Sequence, residues 1–373
     1  MSLCTSATLQ TTGLTAFKAI SSTCARPVIL STAHLLAQRH AHKTAARQFS
    51  TTRVSGSPAL TKGQEKVLTQ EQIREIKFKE ESWPHPVYTP EQMSAIKIAH
   101  RSCKDWSDWV ALAAVRLMRT SYDLATGYRH PKKLPNGEEK PVLFKMTPER
   151  WLARFIFLES VAGVFGMVGG AIRHLHSLRR LRRDNGWIES LLEEAYNERM
   201  HLLTFLKLRT PGLFMRTMIL GAQGVVYNGF FLAYLISPKT CHRFVGYLEE
   251  EAVITYTRAI EDLEAGKLKE WETLAAPEIA KKYWKMGDNA TMKDLLYYIR
   301  ADEAKHREVN HTLANLHQDD FNPYKEIEGG VAATSNGQGM GVRPTKDLGS
   351  CVTNPLGFER EHALKHAQGV IHA

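Results

Sequence analysis

Between Lys104 and about Tyr122 the chain reads KDWSDWVALAAVRLMRTSY, and Trp106, Trp109, Val110, Ala113 and Leu117 recur along one side at the helical period. A loop follows at 130–141, marked by its prolines and an Asn-Gly pair. Helical patterns then run almost unbroken to about His317, punctuated at 184–186 (Asp-Asn-Gly), Pro211-Gly212, Ser237-Pro238 and 284–291. Nothing alternates convincingly with period two, so the pattern predicts an all-α core at 104–325. Ahead of it, 65–103 is a polar arm in which WPHPVYTP (83–90) should be extended, because its prolines block helix. Behind it, 326–373 is rich in Gly and Asn and reads as a mostly irregular tail.

Two stretches are apolar enough to raise the question of a bilayer. Phe155 to Ile172 carries only Glu159 and Ser160 as polar positions, and Thr217 to Ile236 has no charge at all. A glutamate at membrane depth is costly unless it works there. The second stretch carries Gln223 and Asn228 together with three glycines. A helix at about 213–236 lying in one leaflet, with the Trp-bearing helix at 104–122 beside it, accounts for this better than two spans. The expectation is a monotopic protein.

Composition changes the picture in one respect. The net charge of +10 suggests a nucleic-acid partner, but residues 1–64 hold seven Lys or Arg and no acid, and so account for +7 of it. That segment is rich in Ser, Thr and Ala, which is the composition of a mitochondrial transit peptide, and ARQFSTT (46–52) resembles a processing site. No nucleic-acid partner is expected. The five cysteines show no CxxC spacing, and therefore no zinc signature or disulfide framework.

The candidate chemistry lies in Glu-x-x-His pairs. Chance predicts about one, and the chain has four: Glu198/His201, Glu303/His306, Glu308/His311 and Glu359/His362. Helical phase selects among them, since positions three apart lie about 60° from each other and can reach one point. Glu303 and His306 share a stripe with Met292, Leu295, Leu296, Ile299 and Leu313, and Glu198 and His201 share one with Trp187, Leu191, Ala195 and Phe205. Glu308 and His311 fall mostly outside the stripe, and Glu359/His362 lies in the tail. Two further glutamates are stranded in apolar faces. One is Glu159; the other is Glu249, with Glu251 as the next candidate, while Glu250 sits with Arg243, Thr257 and Glu261 on what reads as a solvated face.

Buried carboxylates are expensive unless paired or bound to metal. Four inward glutamates on four helices, with two histidines three residues after two of them, form the ligand set of a ferritin-like di-iron four-helix bundle. Carboxylate and imidazole donors suit two iron ions, or manganese, better than zinc. Asp302 and Asn197 are candidates to hold the outer nitrogen of each histidine.

At these residues the sequence resembles the alternative oxidase family, the mitochondrial cyanide-insensitive ubiquinol oxidases. NERMHL, LEEEAV and RADEAKHREVNH match its blocks, and LES at 158–160 stands where LET is more usual. The resemblance implies a monotopic homodimer on the matrix face of the inner mitochondrial membrane that oxidises ubiquinol and reduces O2 to water without pumping protons. It implies that Glu159, Glu198, Glu249 and Glu303 bind metal, with His201 and His306 beside it, and that Tyr256 is a redox-active tyrosine. It also implies a quinol pocket at Arg154, Leu158, Leu248, Glu251 and Thr255, and supporting positions at Asn197, His242, Trp284 and Asp302. The lack of a counterpart to the regulatory cysteine of plant members points to a fungal or protist type.

Other functions remain to be separated. A demethoxyubiquinone-type di-iron hydroxylase would share the ligands but has no use for Tyr256. A two-span structural or transport protein would have no stoichiometric iron, and an iron store would not explain the apolar surface helices.

Overall fold

The computed structural model describes residues 85–131, 145–325 and 354–367. The expected leader, most of the loop at 130–141 and the greater part of the tail lie outside these. Every element is helical: α1 (Pro90–Ser94), α2 (Trp106–Thr126), α3 (Pro148–Arg180), α4 (Trp187–Leu208), α5 (Leu213–Ile236), α6 (Pro238–Glu264), the short α7 (Lys269–Glu272) and α8 (Glu278–Tyr283), α9 (Met292–Leu313) and α10 (Arg360–Ala367). Among the described residues the nearest thing to a strand is one isolated bridge between Ala275 and Thr291.

Local chemistry sets the helix starts. Thr147 caps α3 by accepting from the Arg150 amide, Ser237 caps α6 by accepting from Thr240, and a proline opens each helix at a position that needs no donor. Thr291 and Asp294 form a reciprocal capping box at α9, where a cap is worth about 1 kcal/mol. Four helices make the bundle, in two tight pairs: α3 with α4, and α6 with α9. Gly166 permits the first pairing, because a Cβ there would stand 2.4 Å from the carbonyl oxygen of Leu191. Across one end of the bundle Phe155 stacks on Phe205 and on Tyr256, each with ring centroids 4.8 Å apart.

The two long apolar helices part company here. Most of the apolar window of α3 (56%) is inside the bundle, so its hydrophobicity is that of a core helix. Only 11% of the corresponding window in α5 is buried, and Leu213, Phe214, Leu220, Val225 and Ile236 stand outward. On α2 the outward face carries Trp106, Trp109, Val110 and Leu117, while Ala111, Leu112 and Val115 pack inward.

Two expectations, for the arm and for one side of α6, need correction, and that for the tail gains a detail. The arm is extended only to Thr89, where a capping box with Gln92 starts α1 at Pro90; the proline that reads as a block is the first helical residue. The tail holds α10, whose Ala363 is fully buried against the cluster of Trp187, Leu313, Leu316 and Tyr324. The side of α6 that reads as solvated is covered at Arg243 and Glu250, which are 1% and 5% exposed. The arm lies over it: the Arg101 amide donates to Glu250 at 2.9 Å, and His100 Nδ1 is 2.6 Å from the same carboxylate.

Candidate metal centre

Each bundle helix brings one glutamate to the middle: Glu159 from α3, Glu198 from α4, Glu249 from α6 and Glu303 from α9. Ligand atoms of Glu159, Glu198, His201 and Glu303 lie within 4.8 Å of one another, and so do those of Glu198, Glu249, Glu303 and His306. The two groups share Glu198 and Glu303, so two cations held there would have those carboxylates in common. All six residues are buried. Of the two candidates on α6, Glu249 joins the centre; Glu251 turns elsewhere.

The electrostatics are those of a site short of positive charge. Burial, then the neighbouring Glu198 and Glu303, push Glu159 well above the ordinary carboxylate range, and burial with the same two neighbours does so for Glu249. Burial also works against ionisation of Glu198, but His201 and His306 outweigh it and hold that carboxyl far below its usual value. Both oxygens of Glu198 and Nδ1 of His306 are buried without a hydrogen-bond partner. His306 Nδ1 stands 2.8 Å from Glu198 Oε1, yet out of line for a hydrogen bond. Buried ligand atoms that converge with no hydrogen-bond partner fit a bound cation, and the residues present therefore fit a dinuclear metal centre.

His201 is oriented from behind. Its Nε2 lies 3.1 Å from Asp302 Oδ2, which leaves Nδ1 facing Glu159, Glu303 and Glu198 at 3.3, 3.3 and 3.5 Å. The Trp284 indole stacks on the ring at 5.7 Å and donates to the same Asp302 oxygen at 2.8 Å. Asn197 donates to that oxygen at 3.0 Å and to the Tyr283 hydroxyl at 3.0 Å. His306 has no such acceptor: Asn197 serves Asp302 instead, and the His306 ring borders a polar cavity lined also by Glu193, Glu194 and Lys305. His242 is farther out, hydrogen-bonded to Tyr234 and to Asn310, whose amide nitrogen donates to Glu194.

On the opposite flank an apolar pocket of about 130 Å³ opens onto the centre. Leu158, Leu248, Glu251 and Thr255 line it, as do Glu159, Glu198, Glu249, Glu303 and Tyr256. The Tyr256 hydroxyl donates to Glu159. Arg154 does not line the pocket; it stands behind it, over the Tyr122 ring at 4.8 Å and 2.6 Å from Asp123. Sequence reading passed over α2 as a source of pocket residues. Arg119, from that helix, donates to Glu251 at 2.9 Å and to Thr255 at 3.1 Å, and pairs with Asp123 at 2.7 Å. An Arg and an Asp four apart on one helix, able to pair with each other, was the available signal.

These features define a class: an all-α four-helix bundle enclosing a buried carboxylate–histidine cluster able to hold metal. The alternative oxidase family model matches residues 88–315. Similar proteins include the mitochondrial alternative oxidase of Aspergillus niger, 58% identical over 88% of this chain and 89% of its own length. That of Emericella nidulans is 69% identical over 65% and 68%, and that of Yarrowia lipolytica 59% identical over 73% and 74%. The chain belongs to the alternative oxidase family, and these three relatives are fungal.

Proposed function

We propose that this chain is a ubiquinol:oxygen oxidoreductase, a cyanide-insensitive terminal oxidase that reduces O2 to water and pumps no protons. The observation that carries this reading is the apolar pocket, which brings a lipid-soluble substrate directly against Tyr256 and the four carboxylates. Glu159, Glu198, Glu249 and Glu303, with His201 and His306, would hold two iron ions, and those ions would supply the redox capacity that side chains lack. A quinol headgroup would find Leu158 and Leu248 as walls, with Glu251 and Thr255 as acceptors for its hydroxyl. Arg119 fixes both acceptors, and Asp123 and Arg154 brace Arg119 from behind. Burial, and then the Glu159 charge, keep the Tyr256 phenol well above its usual pKa, so it stays a neutral donor that can release an electron and a proton together. Two quinols each give two electrons and two protons, which balances one O2 reduced to two waters.

We place the protein in the inner mitochondrial membrane at its matrix face, with α5 and the Trp-bearing face of α2 in one leaflet; the exposure of α5 supports this. The transit peptide at 1–64 and a homodimeric state rest on sequence and family likeness alone.

The test is oxygen uptake by the purified protein with a short-chain ubiquinol in the presence of cyanide. Two quinols consumed per O2, without peroxide, is the expected result. A ring-hydroxylated product would instead assign the hydroxylase activity, and no uptake from iron-loaded protein would overturn the oxidase.

A further inference from the structure

Asp302 receives its hydrogen bonds from two different parts of the chain, one for each oxygen. Oδ2 is served from the bundle side, by His201, Trp284 and Asn197. Oδ1 is served from the arm: His85 Nε2 at 2.6 Å and the Tyr88 hydroxyl at 2.8 Å. Both arm residues are buried, and the His85 ring packs against Tyr283 and Trp284 with centroids at 4.9 and 5.9 Å. His85 and Pro86 also wall the polar cavity that reaches Asp302 and His306.

The arm is built to deliver those two side chains. His85 lies between two prolines, and a residue before proline is confined to extended backbone. Four residues on, the capping box at Thr89 turns the chain into α1. Beyond it, Arg300 donates to the Met93 carbonyl at 2.8 Å and His100 reaches Glu250 at 2.6 Å. The arm is thus anchored at points well separated in sequence from the residues that touch Asp302.

We propose that His85 and Tyr88 are positioning residues of the metal centre: the arm locks Asp302 Oδ1, and Asp302 so held fixes the His201 ring through Nε2 with Nδ1 turned to the carboxylates. This rests on the di-iron reading for its consequence, though the coupling through Asp302 belongs to the protein alone. A carboxylate held at one oxygen only can turn about its terminal torsion and offer His201 a different geometry. Partners behind a ligand histidine typically change metal affinity by about tenfold to a hundredfold.

The test uses the full-length protein and four variants: His85→Ala, His85→Gln, Tyr88→Phe and, as a control on arm docking, His100→Ala. Iron affinity, the electron paramagnetic spectrum of the reduced centre, and unfolding temperature are measured for each. The expected result is a loss of iron affinity of about tenfold for His85→Ala, smaller for Tyr88→Phe, with an altered spectrum. His85→Gln should restore most of it because the amide still donates, and His100→Ala should leave affinity and spectrum unchanged. An unaltered affinity and spectrum in His85→Ala would overturn the proposal and make the arm a packing element. In parallel, nitrogen NMR of histidine-labelled, metal-free protein reads the hydrogen bond between His201 Nε2 and Asp302. A shifted Nε2 resonance in His85→Ala upholds the coupling even if wild-type protein proves to bind no iron, and an unshifted one sinks it.

Discussion

Helix α9 carries two Glu-x-x-His pairs five residues apart, and they have opposite fates. Glu303 and His306 face the other three bundle helices, while Glu308 and His311 lie about 140° and 80° round from Glu303, towards the arm, the tail and the outer side of α6. Burial does not separate them: Glu303, His306, Glu308 and His311 are 2%, 6%, 3% and 0% exposed. Saturation does. His311 Nδ1 accepts from Arg243 at 2.9 Å and Nε2 stands 2.9 Å from Glu250, so both ring nitrogens are committed. Glu308 accepts from Tyr324. At the other pair, His306 Nδ1 has no hydrogen-bond partner, and Glu303 belongs to both groups able to hold a cation. On α9, then, His306 keeps a ring nitrogen open to a ligand role, while both nitrogens of His311 serve the fold.

The sharpest test of that contrast removes one carboxylate from each pair. Glu303→Ala should lose both metal sites, with iron content falling to background and turnover dropping by at least about a hundredfold. Glu308→Ala should retain iron. Comparable iron loss in the two variants would break the comparison.

His311 should behave as a structural residue. His311→Ala leaves Arg243 and Glu250 each short of a buried partner, which costs about 2–4 kcal/mol in denaturant unfolding, with iron per chain unchanged. Its pH dependence follows from burial, which lowers the imidazole from 6.5 to about 4 despite Glu250. The unfolded chain therefore takes up the proton first as pH falls. The stability is fully present above about 6.5 and is lost between 6.5 and 4, by about 3 kcal/mol at most. His311→Asn should flatten that acid limb; an unchanged limb would mean that other groups carry it.

What was legible in the sequence was what one helix decides by itself. The phase of Glu198 and His201 among Trp187, Leu191 and Phe205, and of Glu303 and His306 among Leu295, Ile299 and Leu313, is a local periodicity, and the bundle honours it. Glu249 was separable from Glu250 and Glu251 by the same argument. The failures are positions fixed by distant chain. Glu250 and Arg243 read as solvated because nothing in α6 reveals that Arg101 and His311 will cover them. Gly246 shows how close that cover is, since a Cβ there would lie 2.5 Å from His311 Nδ1. Arg119, His85 and Tyr88 were passed over for the same reason, as Glu251, Thr255 and Asp302 lie far from them along the chain. The tail helix was hidden because its burial comes from a single alanine and a few cross-chain pairs, such as Arg360 with Asp320 at 2.7 Å, not from an apolar stripe.

Glu308 should also make stability depend on pH, and its sign is the reverse of that of His311. Burial raises the carboxyl from 4.5 to about 8, against the pull of Tyr324 and Arg307. Here the folded chain holds the proton longer than the unfolded one, so stability declines as pH rises from about 4.5 through 8. Glu308→Gln imitates the protonated form and removes that decline. It should be nearly neutral at pH 5 and more stable than wild type at pH 9, by about 5 kcal/mol at most, with iron content unaltered at both. A variant less stable at pH 9 would mean that Glu308 works as a charge, and that the structural pair on α9 is closer in kind to the metal pair than its saturated hydrogen bonds imply.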